Sequence, residues 1–416
     1  MAVFDPLARP TRDAALARLN AFLPNSGREY ATSRNVDYGP SDRSNVSMLS
    51  PFIRHRLLLE SEVLDAVLCR FAPSTAEKFI QEVFWRTYFK GWLEQRPSVW
   101  RTYKRDVARL SSQINEDADF AQRYSEAVEG RTGIACFDAW VGELIETGYL
   151  HNHTRMWFAS IWMFTLELPW QLGADFFYRH LLDGDPASNT LSWRWVGGLH
   201  TKGKTYLARS ENIRKFTNGR YAPGGQLASV APAFDEADVH GRRPLPHARH
   251  EHSGSPAIVL ITEEDCVVES LFPRDGLRGG VACLATSHRS PLPVGEPARH
   301  FAAGAAEDAA ARAADYFGIA ITRCDEADDW ANAIEHACRQ ADVSTVVTAY
   351  APVGPVAEQL AECHADLERR GIRLTAVRRE FDDLVWPHAT KGFFGLKAKI
   401  PNMLEQMQRD AAGAAL

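Results

Sequence analysis

Residues 183–195 read DGDPASNTLSWRW and carry more information about the fold than any other part of the chain. They place the acids Asp183 and Asp185, the amide Asn189 and the indoles Trp193 and Trp195 within thirteen positions. Inside a packed core each polar group needs a hydrogen-bond partner, because burying an unpaired one is costly. Acids and an amide among indoles are typical of a pocket that hydrogen-bonds one heteroaromatic ring and stacks others.

The chain has 416 residues, which is enough for two domains with separate cores. Its 45% apolar and 24% charged content is typical of a soluble globular protein, and no apolar run reaches the length of a membrane span. The first eleven residues lack the pattern of a secretory signal. The seven cysteines are scattered and include no Cys-x-x-Cys pair, which favours reduced thiols. We therefore expect a cytoplasmic monomer with no metal site and no membrane partner.

Charge is distributed unevenly along the chain. The net charge is −6, yet residues 1–220 hold 28 Lys and Arg against 25 Asp and Glu, so the remaining residues carry a balance of −9. A mildly basic half can form a local basic groove for a nucleic acid.

The first half has the apolar spacing of helices, three or four residues apart. Helices are predicted at Asp13–Leu19, Ser61–Leu68, Lys78–Leu93 and Asp138–Thr147, and a buried helix at Trp157–Leu168. We assign residues 1–221 to an all-helical domain and residues 222–256, rich in Pro, Gly, Ala and His, to a linker. Because no acid or cysteine cluster joins the histidines at 240, 247, 250 and 252, a solvated linker is favoured over a metal site.

After residue 256, short β-branched runs alternate with helical patterns, which predicts a doubly wound parallel α/β domain over residues 257–401 and a tail at 402–416. The predicted strands are Ile258–Thr262, Val281–Thr286, Ile319–Thr322, Thr345–Ala349 and Ile372–Val377. The predicted helices are Ala305–Tyr316, Asp328–Gln340 and Val356–Arg370.

A phosphate-loop pattern, G-x-x-x-x-G-K-[ST], occurs at Gly198–Thr205. Such a loop binds phosphate only when a buried strand leads into it and a helix begins at its lysine. The residues before it, Ser192–Trp195, are too polar for a central parallel strand. We treat the match as accidental and keep a nucleotidase as a remote alternative.

Several separated motifs resemble the photolyase and cryptochrome family. They are Tyr30-x-x-x-Arg34, Ser47–Phe52, Glu82-x-x-Trp85-Arg86, Gly148–Met156 and the opening segment. The resemblance implies an N-terminal all-helical FAD-binding domain of photolyase type and a C-terminal antenna-like α/β domain. In the family the α/β domain comes first, so the order here implies a circular permutation. The family's Arg-x-Asp-Leu-Arg is replaced by Thr262–Cys266, so no antenna chromophore is inferred.

The resemblance implies FAD as the cofactor, held by hydroxyl, amide and charged side chains. The residues implied to bind it are Tyr30, Ser47, Met48, Leu49, Ser50, Arg86, Asn152, Arg155, Asp183, Asp185 and Asn189. Read without the family, the segment Glu82–Arg86 predicts an ion-paired helix, and Ser47 and Ser50 predict helix caps.

The resemblance also implies damaged DNA as the partner, with a flipped-out pyrimidine dimer as substrate. The residues implied to contact the dimer are Glu82, Trp85, Asn152, Met156 and Trp195. Glu82 would stabilise the dimer during catalysis, Asn189 would set the redox form of FAD, and Trp170 and Trp193 would carry electrons to it. The segment Arg101–Gly130 contains no Trp, so Tyr103 or another Trp remains open as a third carrier.

The predicted function is light-dependent splitting of cyclobutane pyrimidine dimers, the reaction of a deoxyribodipyrimidine photo-lyase. The alternative is a cryptochrome-like blue-light receptor without repair activity. Tyr149 stands where the family usually has Trp, which favours the alternative, whereas Glu82, Asn152, Met156 and Trp195 favour repair.

Overall fold

The computed structural model describes residues 9–247, 255–324 and 329–414. Its first part is helical, and the order of helices follows the sequence. The helices are α1 Arg12–Phe22, α2 Arg28–Ser33, α3 Ser50–Arg54, α4 Glu60–Leu68, α5 Glu77–Glu94, α6 Pro97–Glu116, α7 Ala118–Val128, α8 Ala135–Thr147, α9 Asn152–Ser160, α10 Trp170–His180, α11 Pro186–Val196 and α12 Ser210–Phe216.

Local signals fix several helix ends. The Thr11 hydroxyl accepts a hydrogen bond from the amide of Ala14 and caps α1. Gly148 ends α8 with φ +65°, a left-handed conformation that glycine adopts without strain. The continuous helix predicted for Trp157–Leu168 is wrong in one respect: α9 ends at Ser160 and a wider helical turn, Ile161–Thr165, follows. The segment is buried as predicted.

The second part forms a sheet whose strands, within the described ranges, are all parallel and lie in the order β3-β2-β1-β4-β5. Its elements are β1 Ala257–Ile261, β2 Leu277–Ala282, α13 Glu296–Phe317, β3 Ile321–Arg323, α14 Trp330–Gln340, β4 Thr345–Ala349, α15 Pro355–Arg369, β5 Arg373–Val377, α16 Glu380–Val385, α17 Phe393–Lys397 and α18 Ile400–Ala414.

Alternate residues of β1 pack on opposite faces of the sheet, as the two-residue period of a strand requires. Val259 and Ile261 join the core that includes α13 and the helical part, whereas Ile258 and Leu260 pack against α14 and α15. Helices on both faces of a parallel sheet make this a doubly wound arrangement.

The strand predicted at Val281–Thr286 is wrong in its position, because β2 runs from Leu277 to Ala282. Gly279 and Gly280, which precede the predicted strand, lie inside β2. A Cβ on Gly280 would approach the side chain of Val259 on the neighbouring strand to 2.8 Å, so glycine is the residue that fits.

Most described residues of the predicted linker, 222–247, are exposed, but a few of its side chains pack on the helical part. Phe234 stacks on Phe164 with a centroid distance of 5.9 Å, and Glu236 accepts two hydrogen bonds from Arg194. His240 bonds to Ser98, while His250 and His252 lie outside the described residues. The predicted tail at 402–416 is helical through Ala414 as part of α18.

The sheet and the helical part share a close seam. Helix α13 presents buried alanines at the seam, and Phe301 on the same helix contacts Phe52 at 5.6 Å. On the other side of the seam Gly91 of α5 faces Trp386, where an added Cβ would lie 2.8 Å from the Trp386 Cα. The two parts therefore approach to backbone contact.

We expect Gly91→Ala to lower the free energy of unfolding by about 1–3 kcal/mol, because the new methyl group meets backbone that has no room to move. Gly142→Ala is the matched control: it lies within α8, and its Cβ would meet nothing within 4 Å. The control should raise stability by up to about 1 kcal/mol through helix propensity. Denaturant unfolding measures both, and equal effects of the two changes would contradict this description of the seam.

Candidate functional site

One face of α5 carries three charged residues at four-residue spacing, Glu82, Arg86 and Lys90. Two of them reach the acidic loop before α11. Arg86 Nη2 lies 3.4 Å from Asp183 Oδ2, and Lys90 Nζ lies 3.8 Å from Asp185 Oδ2. The fold thus brings the second and third charges of this face to the two acids of the opening segment.

Asp183 is the centre of the site. Its carboxylate accepts a hydrogen bond from Arg155 Nη1 at 3.0 Å, and the Ser50 hydroxyl also bonds to it. Burial alone would raise the pKa of Asp183, but the Arg155 and Arg86 guanidiniums outweigh it and hold the pKa below its ordinary value. The acid is therefore ionised in a buried place.

Two buried polar atoms here have no hydrogen-bond partner within the described residues, Asp183 Oδ1 and Arg86 Nη1. Buried polar atoms are nearly always paired in folded proteins. Asp183 Oδ1 can accept a hydrogen bond and the neighbouring Arg86 Nη1 can donate one. Together they suit a polar heteroaromatic ring, which has both donors and acceptors at its edge.

Asp185 combines a structural role with an electrostatic one. Its Oδ1 accepts a hydrogen bond of 2.7 Å from the Ser188 amide and caps α11, which begins at Pro186. Burial would raise its pKa, but Lys90 and Arg54 lower it to about 2. Asp185 stays charged at the start of the helix that carries Asn189 and both indoles.

Lys90 and Arg54 are site residues that the sequence analysis missed. Arg54 Nε donates to the Gly184 carbonyl at 2.8 Å and lies 4.0 Å from Asp185. A signal existed for each, because Lys90 follows Arg86 by four residues on α5 and Arg54 follows Ser50 by four residues along α3.

Tyr30, Arg34 and Glu82 form a second group at the beginning of the same α5 face. Arg34 and Glu82 form an ion pair, and the Arg34 guanidinium lies 5.8 Å from the Tyr30 ring. The ion pair expected within Glu82–Arg86 is thus replaced by a pair with α2, and Arg86 is directed to Asp183 instead.

The segment Ser47–Ser50, which the resemblance implies binds FAD, is anchored by Arg18. The Arg18 guanidinium donates to the carbonyls of Val46 and Ser47 at 3.0 and 2.7 Å. Met48 has φ +53°, a left-handed conformation that is uncommon outside glycine and is often found at functional sites. Leu49 is fully buried beneath this turn.

The remaining predicted residues lie on α9, α10 and α11. Asn152 is exposed at the start of α9, and Met156 is half-buried one turn later. The Asn189 amide donates to the Ala174 carbonyl at 2.7 Å, which leaves the amide oxygen directed away from α10. Trp195 stacks on Tyr206 at 6.0 Å.

Trp170 and Trp193 pack against different aromatic side chains. Trp170 stacks on Tyr103 at 5.9 Å, and Tyr103 lies 5.3 Å from Trp100. The buried Trp193 makes an edge contact with Trp162 at 6.3 Å. Tyr103, the aromatic residue named from the sequence, is thus the stacking neighbour of Trp170.

Trp85 is covered on one face by a residue that the sequence analysis did not connect with it. Phe393, from the start of α17, stacks on it with a centroid distance of 3.7 Å and an interplanar angle of 13°. Trp85 also contacts Tyr88 and Phe89, with ring centroids 5.6 and 5.3 Å away, and it remains partly exposed.

The phosphate-loop pattern at Gly198–Thr205 lacks the structure that phosphate binding needs. Helix α11 ends just before it, and Gly197 and Thr205 close the loop with an antiparallel bridge. The next helix, α12, begins only at Ser210. Lys202 and Lys204 are exposed on this loop.

Comparison with known proteins assigns this site to a family. Residues 79–223 match the family model of the FAD binding domain of DNA photolyase. Over 209 residues the chain is 34% identical to the deoxyribodipyrimidine photo-lyase of Thermus thermophilus, a match covering 49% of this chain and 46% of that one. The corresponding protein of Synechococcus is 28% identical over 250 residues, 58% of this chain and 47% of that one. These matches, which cover up to 58% of the chain, support the photolyase/cryptochrome family.

The chain spans about half the length of the curated family members it matches. Among solved family structures, a bacterial class III photolyase from Agrobacterium tumefaciens has 24% identity and a TM-score of 0.42 over 50% of this chain and 43% of that one. A Synechocystis cryptochrome has 22% identity and a TM-score of 0.41, with the same coverage. None of the helices in the described ranges has the length and apolar content needed to cross a lipid bilayer.

His151, beside the site, links its stability to pH. Its ring is fully buried, and Nδ1 accepts a hydrogen bond from the His153 amide at 3.2 Å, which requires an unprotonated Nδ1. Burial lowers the pKa of His151 to about 4, despite the opposing charge of Asp37. Protonation therefore favours the unfolded chain, where the pKa has its ordinary value of 6.5.

We expect the free energy of unfolding to fall as pH decreases from about 6.5 towards 4. In this range His151 becomes protonated in the unfolded chain but stays neutral in the folded protein. His151→Gln should flatten this slope by up to about 1.4 kcal/mol per pH unit. Urea unfolding at a series of pH values measures it, with the exposed His336→Gln as control. An unchanged slope in His151→Gln would refute the assignment.

Proposed function

We propose that this chain binds FAD in the space bounded by α5, α9 and the acidic loop, and that it uses reduced FAD to split pyrimidine dimers in DNA. The observation that carries the proposal is the convergence of Ser50, Arg86 and Arg155 on Asp183, with two buried polar atoms left open. All four residues were named from the family motif, and they come from four separate parts of the chain.

Reduced FAD, when bound, supplies the electron that light transfers to the dimer. The chain itself provides charge and shape. Asp183 offers an ionised acceptor, and Arg86 and Arg155 supply donors beside it. The guanidiniums and Lys90 also give the site a positive field, which favours an anionic reduced cofactor over a neutral one. Leu49 and the aromatic residues around Trp193 exclude water.

On the substrate side we assign three roles. Glu82, held by Arg34, faces the dimer and stabilises its reduced form by a hydrogen bond. Trp85 and Trp195 present aromatic faces for flipped-out bases, as stacking is tolerant of base identity. Asn152 and Met156 line the entrance from α9.

Electrons that restore the reduced cofactor travel along aromatic side chains in this proposal. Trp193 and Trp170 are the first members, and the stacked pair Trp170–Tyr103 supports Tyr103 as the next. Trp100 lies beyond Tyr103 at 5.3 Å and extends the row.

We further infer that the chain is a circularly permuted family member. A sheet with the strand order β3-β2-β1-β4-β5 follows the helical part along the chain, and β1 opens it. The α/β unit therefore begins with its own strand β1, and this strand lies at the centre of the sheet.

One observation favours the cryptochrome-like alternative. Phe393 covers a face of Trp85, the residue assigned to stacking on the dimer. A signalling protein without repair activity does not need that face. The repair assay below distinguishes the two functions.

We expect Asp183→Asn to bind FAD about ten- to a hundredfold more weakly, because an amide removes the charge that pairs with two guanidiniums. The control is Asp315→Asn on the exposed side of α13. Equilibrium titration followed by flavin fluorescence and absorption gives both affinities. Wild-type protein that binds no flavin, or a variant that binds it as tightly as wild type, would contradict the cofactor assignment.

We expect wild-type protein with reduced FAD to split a thymine dimer in an oligonucleotide under blue light, and Glu82→Gln to do so on the order of tenfold less efficiently. The reason is the loss of one charged hydrogen bond to the dimer. Glu116→Gln, exposed on α6, is the matched control. Absence of repair by flavin-loaded wild-type protein would support the receptor alternative.

A further inference from the structure

The segment from α16 to α18 supplies an aromatic side chain that neither the fold nor the proposed cofactor site uses. Phe394 is 81% exposed, more than any other large aromatic side chain in the described residues. Its neighbour Phe393 is only 4% exposed and stacks on Trp85. The exposed ring is therefore held at the rim of the site where the dimer is proposed to bind.

This rim is fixed rigidly to α5. Gln95 Nε2 donates to the Trp386 carbonyl at 2.9 Å, and Arg96 Nη2 donates to the Thr390 carbonyl at 2.8 Å. The Tyr88 hydroxyl donates to the Lys391 carbonyl at 2.7 Å. Three hydrogen bonds, one from Tyr88 in α5 and two from Gln95 and Arg96 just after it, hold the backbone leading to Phe394.

Positive charge surrounds the exposed ring. Residues 384–404 contain three lysines and no acid, although the chain after residue 220 has a balance of −9. Lys391 and Lys399 are exposed, whereas Lys397 pairs with Glu77 at 3.1 Å. An exposed aromatic ring between exposed lysines matches nucleic acid, which offers phosphates outside and bases to stack within.

A second basic loop meets the same rim. The Tyr88 hydroxyl lies 3.1 Å from His200 Nε2, so one side chain holds both the Lys391 backbone and the loop of Lys202 and Lys204. Trp92 packs against His200 with ring centroids 4.8 Å apart, and the Arg96 guanidinium lies 4.3 Å from the Trp92 ring. The loop of His200 and the segment of Lys391 are thus both attached to α5 through Tyr88.

We propose that Phe394 is a wedge that enters duplex DNA when the dimer flips out, with Lys391 and Lys399 on the adjacent phosphates. Flipping two bases leaves a gap in the stack, and apolar side chains fill such gaps in other DNA-binding proteins. The inference rests on the proposed function. It adds a residue, from the α/β side of the seam, that selects duplex over single-stranded substrate.

The test compares two probes, an oligonucleotide with one thymine dimer as a duplex and as a single strand. Phe394→Ala should bind the duplex about tenfold more weakly and the single strand with nearly wild-type affinity, since only the duplex has a gap to fill. Phe394→Trp should restore duplex binding. Tyr316→Ala, another partly exposed aromatic residue, is the control, and absorption spectra verify flavin content.

Lys391→Ala should weaken the binding of both probes and reduce the slope of log affinity against log salt concentration by about one. If Phe394→Ala lost the same affinity for the duplex and the single strand, the wedge proposal would be overturned. It would also be overturned if the variant lost affinity for neither probe. Failure of flavin-loaded wild-type protein to bind either probe would instead overturn the proposed function, and the wedge with it.

Discussion

The Arg54 guanidinium holds the two halves of the molecule and the acidic loop in one arrangement. Its two Nη atoms donate to the Glu264 carboxylate at 2.9 and 2.6 Å, just after β1, and its Nε donates to the Gly184 carbonyl at 2.8 Å. All of these groups are buried. Removing one partner of a buried ion pair leaves a charge without compensation, which is strongly destabilising. The loop between Asp183 and Asp185 therefore depends on the sheet for its position, and the proposed cofactor site requires both halves.

The sequence predicted the parts of this structure that depend on local pattern. Helices α1, α4 and α5 follow from apolar spacing, and β4 and β5 follow from short β-branched runs between helices. The acidic loop was found because its residues are adjacent in the chain. The family motif then placed Ser50, Arg86 and Arg155 with Asp183, a grouping that spacing alone does not give.

What the sequence did not predict depends on contacts between distant segments. Arg54 and Glu264 are 210 residues apart, and neither has a local pattern that names its partner. The stack of Phe393 on Trp85 has the same origin. The predicted strand began only at Val281 because strand propensity gives no reason to include glycines, whereas the Val259 side chain on the neighbouring strand leaves room only for glycine at position 280. The contacts of Phe234 and Glu236 with the helical part were not predicted, because a segment rich in Pro and Gly has no periodicity that indicates which of its side chains pack.

The seam between the sheet and the helical part determines how the two parts are held together. Buried ion pairs, hydrogen bonds to the backbone and a glycine contact join the sheet to the helices directly, in addition to the peptide chain that connects them. A change that loosens the seam therefore also loosens the acidic loop, because Arg54 bonds both to Gly184 in that loop and to Glu264 after β1.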